Sequence, residues 1–235
     1  MEYKIRFLVK INMIKNNIIN SILNYKKAVS AFFIVFYLVG VVGTLWPFTS
    51  PLFFKLIPLA LLLSFTALLI FHEGKVTRNA IICFIVIYLF SFFIEVIGVN
   101  TGLIFGHYVY GNSLGIKLFS TPLMIGINWL FLVYTSATVI ERFKMPVLVK
   151  IGLASALMLT YDIVLEQIAP MLNMWHWENR VVPLQNYLVW LVLALLFQSL
   201  LKVLNVSIQN KLAPLILFCQ FLFFLLILIV KRLIL

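Results

Sequence analysis

Seven mostly apolar stretches divide this chain, each close to the roughly 20 residues that a helix needs to cross a bilayer. They run Ala28–Leu45, Leu52–Phe71, Ala80–Gly98, Pro122–Ile140, Val147–Ile168, Leu184–Leu204 and Leu212–Val230. Only 11% of the residues are charged and 64% are hydrophobic, whereas a soluble domain carries roughly 25% charged residues. The predicted fold is therefore all-α, a polytopic transmembrane helix bundle of about seven spans. The connections are short, so residues 28–235 read as a single transmembrane domain. Residues 1–27 read as a basic segment ahead of it. Ile11, Ile14, Ile18 and Ile22 recur there at helical spacing, which predicts an interfacial helix on an anionic leaflet. That segment lacks the continuous apolar core and small-residue cleavage site of a signal peptide.

The net charge of +11 could suggest a nucleic-acid partner, but its distribution suggests a membrane instead. Thirteen of the 18 basic residues fall on the N-terminal side of the predicted spans: Lys4, Arg6, Lys10, Lys15, Lys26, Lys27, Lys75, Arg78, Arg142, Lys144, Lys150, Lys202 and Lys211. Lys55, Lys117, Arg180, Lys231 and Arg232 fall opposite. Positive loops stay in the cytoplasm. The expected arrangement is a multi-pass protein of the cell (inner) membrane with a cytoplasmic N-terminus. Seven spans then leave Lys231 and Arg232 outside, against the rule.

Seven acidic residues serve the whole chain, and Glu95, Asp162 and Glu166 lie inside or at the rim of apolar segments. A carboxylate in hydrocarbon costs several kcal/mol unless it is neutralised, paired or hydrated. The alternating direction of the spans brings all three toward the outer side. Asp162 and Glu166 are four residues apart, so they share a helix face at about 6 Å. Two ionised carboxylates that close repel, and burial strips their hydration, so the pair is expected to keep a proton between them. Glu95 is placed to join them across the bundle. A proton held against an apolar cavity is what protonation of an alkene requires. The competing reading has these acids hydrogen-bonded to Tyr, Trp or backbone groups, merely joining helices. Glu141 with Arg142, and Glu73 beside His72 and Lys75, read as ordinary interfacial ion pairs.

Polar and aromatic residues gather on the same side. The segment from Gly98 to Gly115 is rich in Gly, Tyr and Asn and reads as a loop or re-entrant segment. Trp175-His176-Trp177 follows the fifth span. Trp129, Trp175, Trp177 and Trp190 suit an interfacial aromatic belt. Aromatic faces also stabilise a nearby cation. Tyr108, Tyr110 and Tyr161 could do that beside the acids, or hydrogen-bond to them. His107 and His176 are candidates for proton relay or positioning.

Several chemistries find no residues. Three histidines cannot supply the clusters of membrane di-iron enzymes. No Gly-rich nucleotide loop, zinc-type spacing or serine elbow is present. Neither is the paired Asp-rich motif that binds prenyl diphosphate through metal. Cys83 and Cys219 sit in separate apolar segments and suggest no disulfide or redox site. Acid–base chemistry on an apolar substrate remains, with no metal expected.

Two long ordered patterns resemble a known family. The first is Glu95-x-x-Gly98-x-x-Thr101-Gly102-x-x-Phe105-Gly106-x-Tyr108-x-Tyr110-x-x-x-Leu114-Gly115, then Pro122 and Trp129. The second is Asp162-x-x-x-Glu166-x-x-Ala169-Pro170, Trp175-x-Trp177, then Pro183-x-x-Asn186-Tyr187-x-x-Trp190. Together they resemble the carotenoid-biosynthesis membrane proteins that include the CruF-type carotenoid 1,2-hydratases, over about residues 80–205. The resemblance implies cofactor-free addition of water across the terminal double bond of an acyclic carotenoid end group. It implies an acyclic or monocyclic carotenoid as substrate, and other carotenoid-pathway membrane enzymes as partners. On this reading Asp162 and Glu166 form the proton donor and water-activating base, and Glu95 positions or reprotonates them. Tyr108, Tyr110, Trp129, Tyr161, His107, Trp175, His176, Trp177, Asn186 and Trp190 form the candidate substrate-binding set. An end-group cyclase would use the same protonation and trap the cation by ring closure. A non-catalytic lipid or pigment carrier, or an assembly subunit, needs no reaction. A proton-coupled transporter suits the sequence less, because the acids lie near one face and no repeat is visible.

Overall fold

The computed structural model describes residues 25–234, so all but the last three residues of the predicted interfacial segment lie outside them. Among the described residues, seven helices, each long and apolar enough to span a membrane, make up the bundle. They are α1 (Lys26–Leu45), α2 (Ser50–Ile70), α3 (Arg78–Thr101), α4 (Met124–Glu141), α5 (Val147–Ile168), α6 (Leu184–Val203) and α7 (Ala213–Ile234). Every predicted span is a helix; α3 and α7 run past the ends read from the sequence. The chain is a multi-pass membrane protein.

The least hydropathic helix, α4, is also the most buried. It packs against α2, α3, α5, α6 and α7, while α1 leans on α2 and α7 at the periphery. A span surrounded by other spans does not meet lipid, so its polar side chains need only internal partners. Thr135, Ser136 and Thr138 each bond back to the carbonyl one turn earlier, at 2.8, 2.6 and 2.8 Å, as hydroxyls in helices do. Gln198 of α6 donates to Ser136 Oγ at 2.9 Å and to Val133 O at 3.2 Å, tying the two helices together.

One end of the bundle carries Lys26, Lys75, Arg78, Arg142, Lys150, Lys202 and Lys211. Here the expected interfacial pairs re-form with other partners. Glu141 does not pair with Arg142; it bridges Lys150 at 2.8 Å and Lys202. Arg142 instead donates to Asn210 O at 3.5 Å. Glu73 pairs with Lys211 at 3.2 Å rather than with His72 or Lys75. Lys150 of α5 and Lys202 of α6 reach Glu141 because the helix ends converge, and Lys211 reaches Glu73 because their two loops lie side by side, with Glu73 N–H donating to Gln209 O at 2.8 Å.

Asn210 is the junction at this end. Its Oδ1 accepts from Leu212 N at 2.8 Å and Ala213 N at 3.0 Å, capping α7. Its Nδ2 donates to Leu68 O at 2.9 Å and to the Tyr134 hydroxyl at 3.2 Å. One buried amide thus joins α2, α4 and α7. Asn210→Ala is expected to lower unfolding free energy in detergent by roughly 1–3 kcal/mol, the cost of stranding buried polar groups. An unchanged thermal midpoint would show that the junction is dispensable.

Candidate active site

The opposite end is closed by non-helical segments. Gly102 ends α3 in the left-handed conformation (φ 69°), its N–H bonding to Gly98 O at 2.8 Å, the usual role of glycine past a helix end. Gly98 lies under the returning chain: a Cβ there would sit 2.5 Å from the Phe105 ring. These two glycines turn the chain into a short strand, β1 (Tyr108–Tyr110). Two further pieces, β2 (Lys117–Leu118) and β3 (Thr121–Pro122), pair with each other before α4. After α5 comes β4 (Trp175–Trp177), antiparallel to β1, with Tyr108 opposite Trp177 and Tyr110 opposite Trp175.

Side chains alternate across a strand, so this two-stranded ribbon has a buried aromatic face and an exposed face. The buried face presents Tyr108, Tyr110, Trp175 and Trp177. Each cross-strand pair is in ring contact, with centroids 5.0 Å apart for Tyr108 and Trp177 and 6.2 Å for Tyr110 and Trp175. The exposed face carries Val109 and His176. His176 Nε2 bonds to Asn173 Oδ1 at 3.1 Å, and His107 is exposed as well. Neither histidine meets the acids.

The four inward aromatics are all donors, and they serve two carboxylates. Glu95 Oε2 accepts from Tyr108 Oη at 2.6 Å and Tyr110 Oη at 2.7 Å; Oε1 accepts from Trp129 Nε1 at 3.1 Å. Glu166 Oε2 accepts from Trp175 Nε1 at 3.0 Å and Trp177 Nε1 at 2.6 Å; Oε1 accepts from Asn186 Nδ2 at 3.0 Å. Burial pushes both tyrosine hydroxyls well above their ordinary range, and the adjacent Glu95 charge pushes the same way, so they remain donors. The Trp190 ring stacks on Trp129 at 3.9 Å and holds it in place.

Glu95, Asp162 and Glu166 are 5%, 0% and 3% exposed. Among the described residues no Lys or Arg pairs with any of them. Desolvating a carboxylate costs several kcal/mol. A hydrogen bond to a charged group returns about 1.5–3 kcal/mol. Three neutral donors apiece are of the right size to hold Glu95 and Glu166 in place without a counter-ion. Asp162 is different. Its Oδ2 has one long contact, 3.4 Å from Asn186 Nδ2, and its Oδ1 has no partner.

Two spaces meet here. A chamber of about 20 Å³ lies among Glu95, Glu166, Tyr108, Tyr110, the four tryptophans and Asn186. That is enough for a single water molecule. Asp162 is not in its wall; it stands behind Glu166, linked through Asn186. Tyr161 also turns away, toward Phe221 and Phe224. Beside the chamber is an apolar cavity of about 410 Å³ between α1, α2, α4 and α7, within the range of small-molecule pockets. Its outer wall includes Phe32, Val35 and Val39 of α1, which are exposed on the lipid-facing side. Ile125, Asn128 and Trp175 line both spaces.

The sequence reading missed Asn128 and the whole apolar cavity. An Asn next to Trp129 within an apolar span was the available signal. The cavity had none, because Phe, Val and Leu on α1 read alike whether they face lipid or a ligand.

The fold and site thus define a multi-pass membrane protein with a buried pair of glutamates next to a lipid-side apolar cavity. The model of a family described as "Carotenoid biosynthesis protein" matches residues 56–234, and the chain belongs to that family. No curated protein and no solved structure matches it significantly.

Removing one donor tests this arrangement. Tyr108→Phe keeps the ring and is expected to destabilise by roughly 1–3 kcal/mol, by stranding a buried carboxylate. In Glu95→Gln the same change should cost less, giving a coupling of about 1 kcal/mol or more in a double-mutant cycle. Additive effects on unfolding in detergent would deny that the contact matters.

Proposed function

We propose that this protein adds water across the terminal double bond of an acyclic carotenoid end group. The observation that carries this reading is the water-sized chamber, bounded by two glutamates and sharing a wall with a lipid-side apolar cavity. A polyene dissolved in the bilayer reaches the cavity laterally between α1 and α2, without crossing water. Its end group enters at Ile125, Asn128 and Trp175, the residues common to both spaces, and parts them to reach the carboxyl groups.

The reaction needs a proton, a site for a cation and a water molecule. In our reading Glu166, loaded with a proton from Asp162 behind it, passes that proton to the terminal alkene, leaving a tertiary cation on the dimethyl carbon. Asp162, behind it, stores the proton that replaces the one given up, and Asn186 links the two carboxyl groups. Water in the chamber attacks the cation while Glu95 takes its proton. One carboxyl group loses a proton and another gains one, so the enzyme returns to its start by proton transfer between them. The Trp and Tyr faces around the chamber stabilise the cation. This division differs from the pairing expected from the sequence, because Asp162 does not border the chamber and Glu95 does. Tyr161, His107 and His176 take no part in it. The water-sized space next to Glu95 favours capture of the cation by water over ring closure.

We assign the basic end to the cytoplasmic side of the cell membrane, which places the carboxylates near the outer interface, where water is available. We treat the rest of the chain, residues 28–235, as one transmembrane domain acting alone or beside other carotenoid-pathway enzymes.

Expression in cells that accumulate lycopene or a monocyclic carotene tests the reaction. The expected product is heavier by one water, and it should fall at least 100-fold in Glu166→Gln and Glu95→Gln. Asp162→Asn should slow turnover less, since it removes only the store. A product of unchanged mass with an altered spectrum would replace hydration with cyclisation. No new pigment from folded protein would favour a carrier or assembly role.

A further inference from the structure

Asn128 is the one amide on the wall common to the acid chamber and the apolar cavity. It lies in α4, the most buried helix, yet its own side chain is only partly buried. Among the described residues its amide makes no hydrogen bond. Asn186, Gln198 and Asn210 all donate to neighbouring protein groups; Gln220 of α7, which lines the apolar cavity alone, also has an amide oxygen without a partner, so what sets Asn128 apart is its place on the wall common to both spaces. An amide without a partner in an apolar setting is costly. Ile125 sits three residues earlier and lines both spaces too, so this stripe of α4 is the partition itself. A hydrophobic residue would complete the apolar wall, and this position carries an amide instead.

We propose that Asn128 is a positioning residue that orients the attacking water at the wall shared by chamber and cavity. This rests on the hydratase reading. The amide carries two donors and one acceptor group, so it can hold a water oxygen toward the cation while Glu95 accepts a water proton. The alternative fate of the cation is loss of a proton from a neighbouring carbon back to a carboxylate, which returns an alkene of unchanged mass. Asn128 therefore decides between hydration and proton loss, and acts after the protonation step.

The test uses membranes containing the full chain, supplied with lycopene in heavy water. Asn128→Leu should still protonate the alkene. Recovered alkene should then carry added deuterium, and the ratio of hydrated to deuterated, unhydrated pigment should fall at least ten-fold. Asn128→Gln should restore part of that ratio. Should the Leu variant fail to fold, as judged by detergent-solubilised yield, Asn128→Ser serves the same comparison, with a smaller fall expected. A wild-type ratio in the folded Leu variant would overturn the role of Asn128 and leave the hydratase reading intact. Loss of both hydration and deuterium incorporation would also overturn it, since the residue would then act before protonation. Absence of hydrated pigment from the wild-type chain itself would instead overturn the hydratase reading.

Discussion

Two glutamates buried in a membrane protein must be met by donors, and here all the donors are neutral. Tyrosine, tryptophan and asparagine supply them from β1, α4, β4 and α6. Much of the architecture at this end follows from that requirement. The ribbon of β1 and β4 exists at a spacing of two residues per repeat, which sends two donors from each strand to one carboxylate. Gly98 and Gly102 bring β1 down onto α3. The stack of Trp190 on Trp129 fixes the third donor of Glu95. A lysine or arginine in place of these donors would neutralise the carboxylates more simply, but it would also hold them as fixed ion pairs. Neutral donors leave the two glutamates without a fixed counter-ion.

The helix bundle supports this site by keeping different kinds of surface apart. Polar demands are met inside α4 and at its contacts with α6, so the central helix need not be strongly apolar. Most charged residues among those described are gathered at the other end, where Glu141 is paired with lysines of two neighbouring helices and Glu73 with Lys211 of a neighbouring loop. Exposed pairs of that kind contribute little individually, whereas the Asn210 junction is buried and joins three helices. The α1–α2 hairpin contributes less to the packed core and more to the cavity wall. An apolar ligand reaching that cavity from the bilayer would pass only side chains as apolar as the lipid it leaves.

The seven spans, their approximate limits and the gathering of acids at one end were legible in the sequence, because hydrocarbon imposes length and apolarity on each span directly. Glu95, Asp162 and Glu166 stood out for the same reason: a carboxyl group is costly in that setting wherever it points. The tertiary structure decided how those acids differ. Which of them borders the chamber depends on rotation about helix axes and on a ribbon pairing residues 108–110 with 175–177, well apart in the chain. The alternation Tyr-Val-Tyr and Trp-His-Trp hinted at strands, but three residues are too short a run to separate from an interfacial belt. Glu141 and Arg142 are adjacent and looked like a pair, yet helix geometry turned them to different neighbours. Asn128 needed the structure most, since only the meeting of two spaces on either side of it distinguishes it from any polar residue in a buried helix. Burial cost is a property of single residues and can be read one position at a time; partners and cavities arise between distant segments, and only the folded chain assigns them.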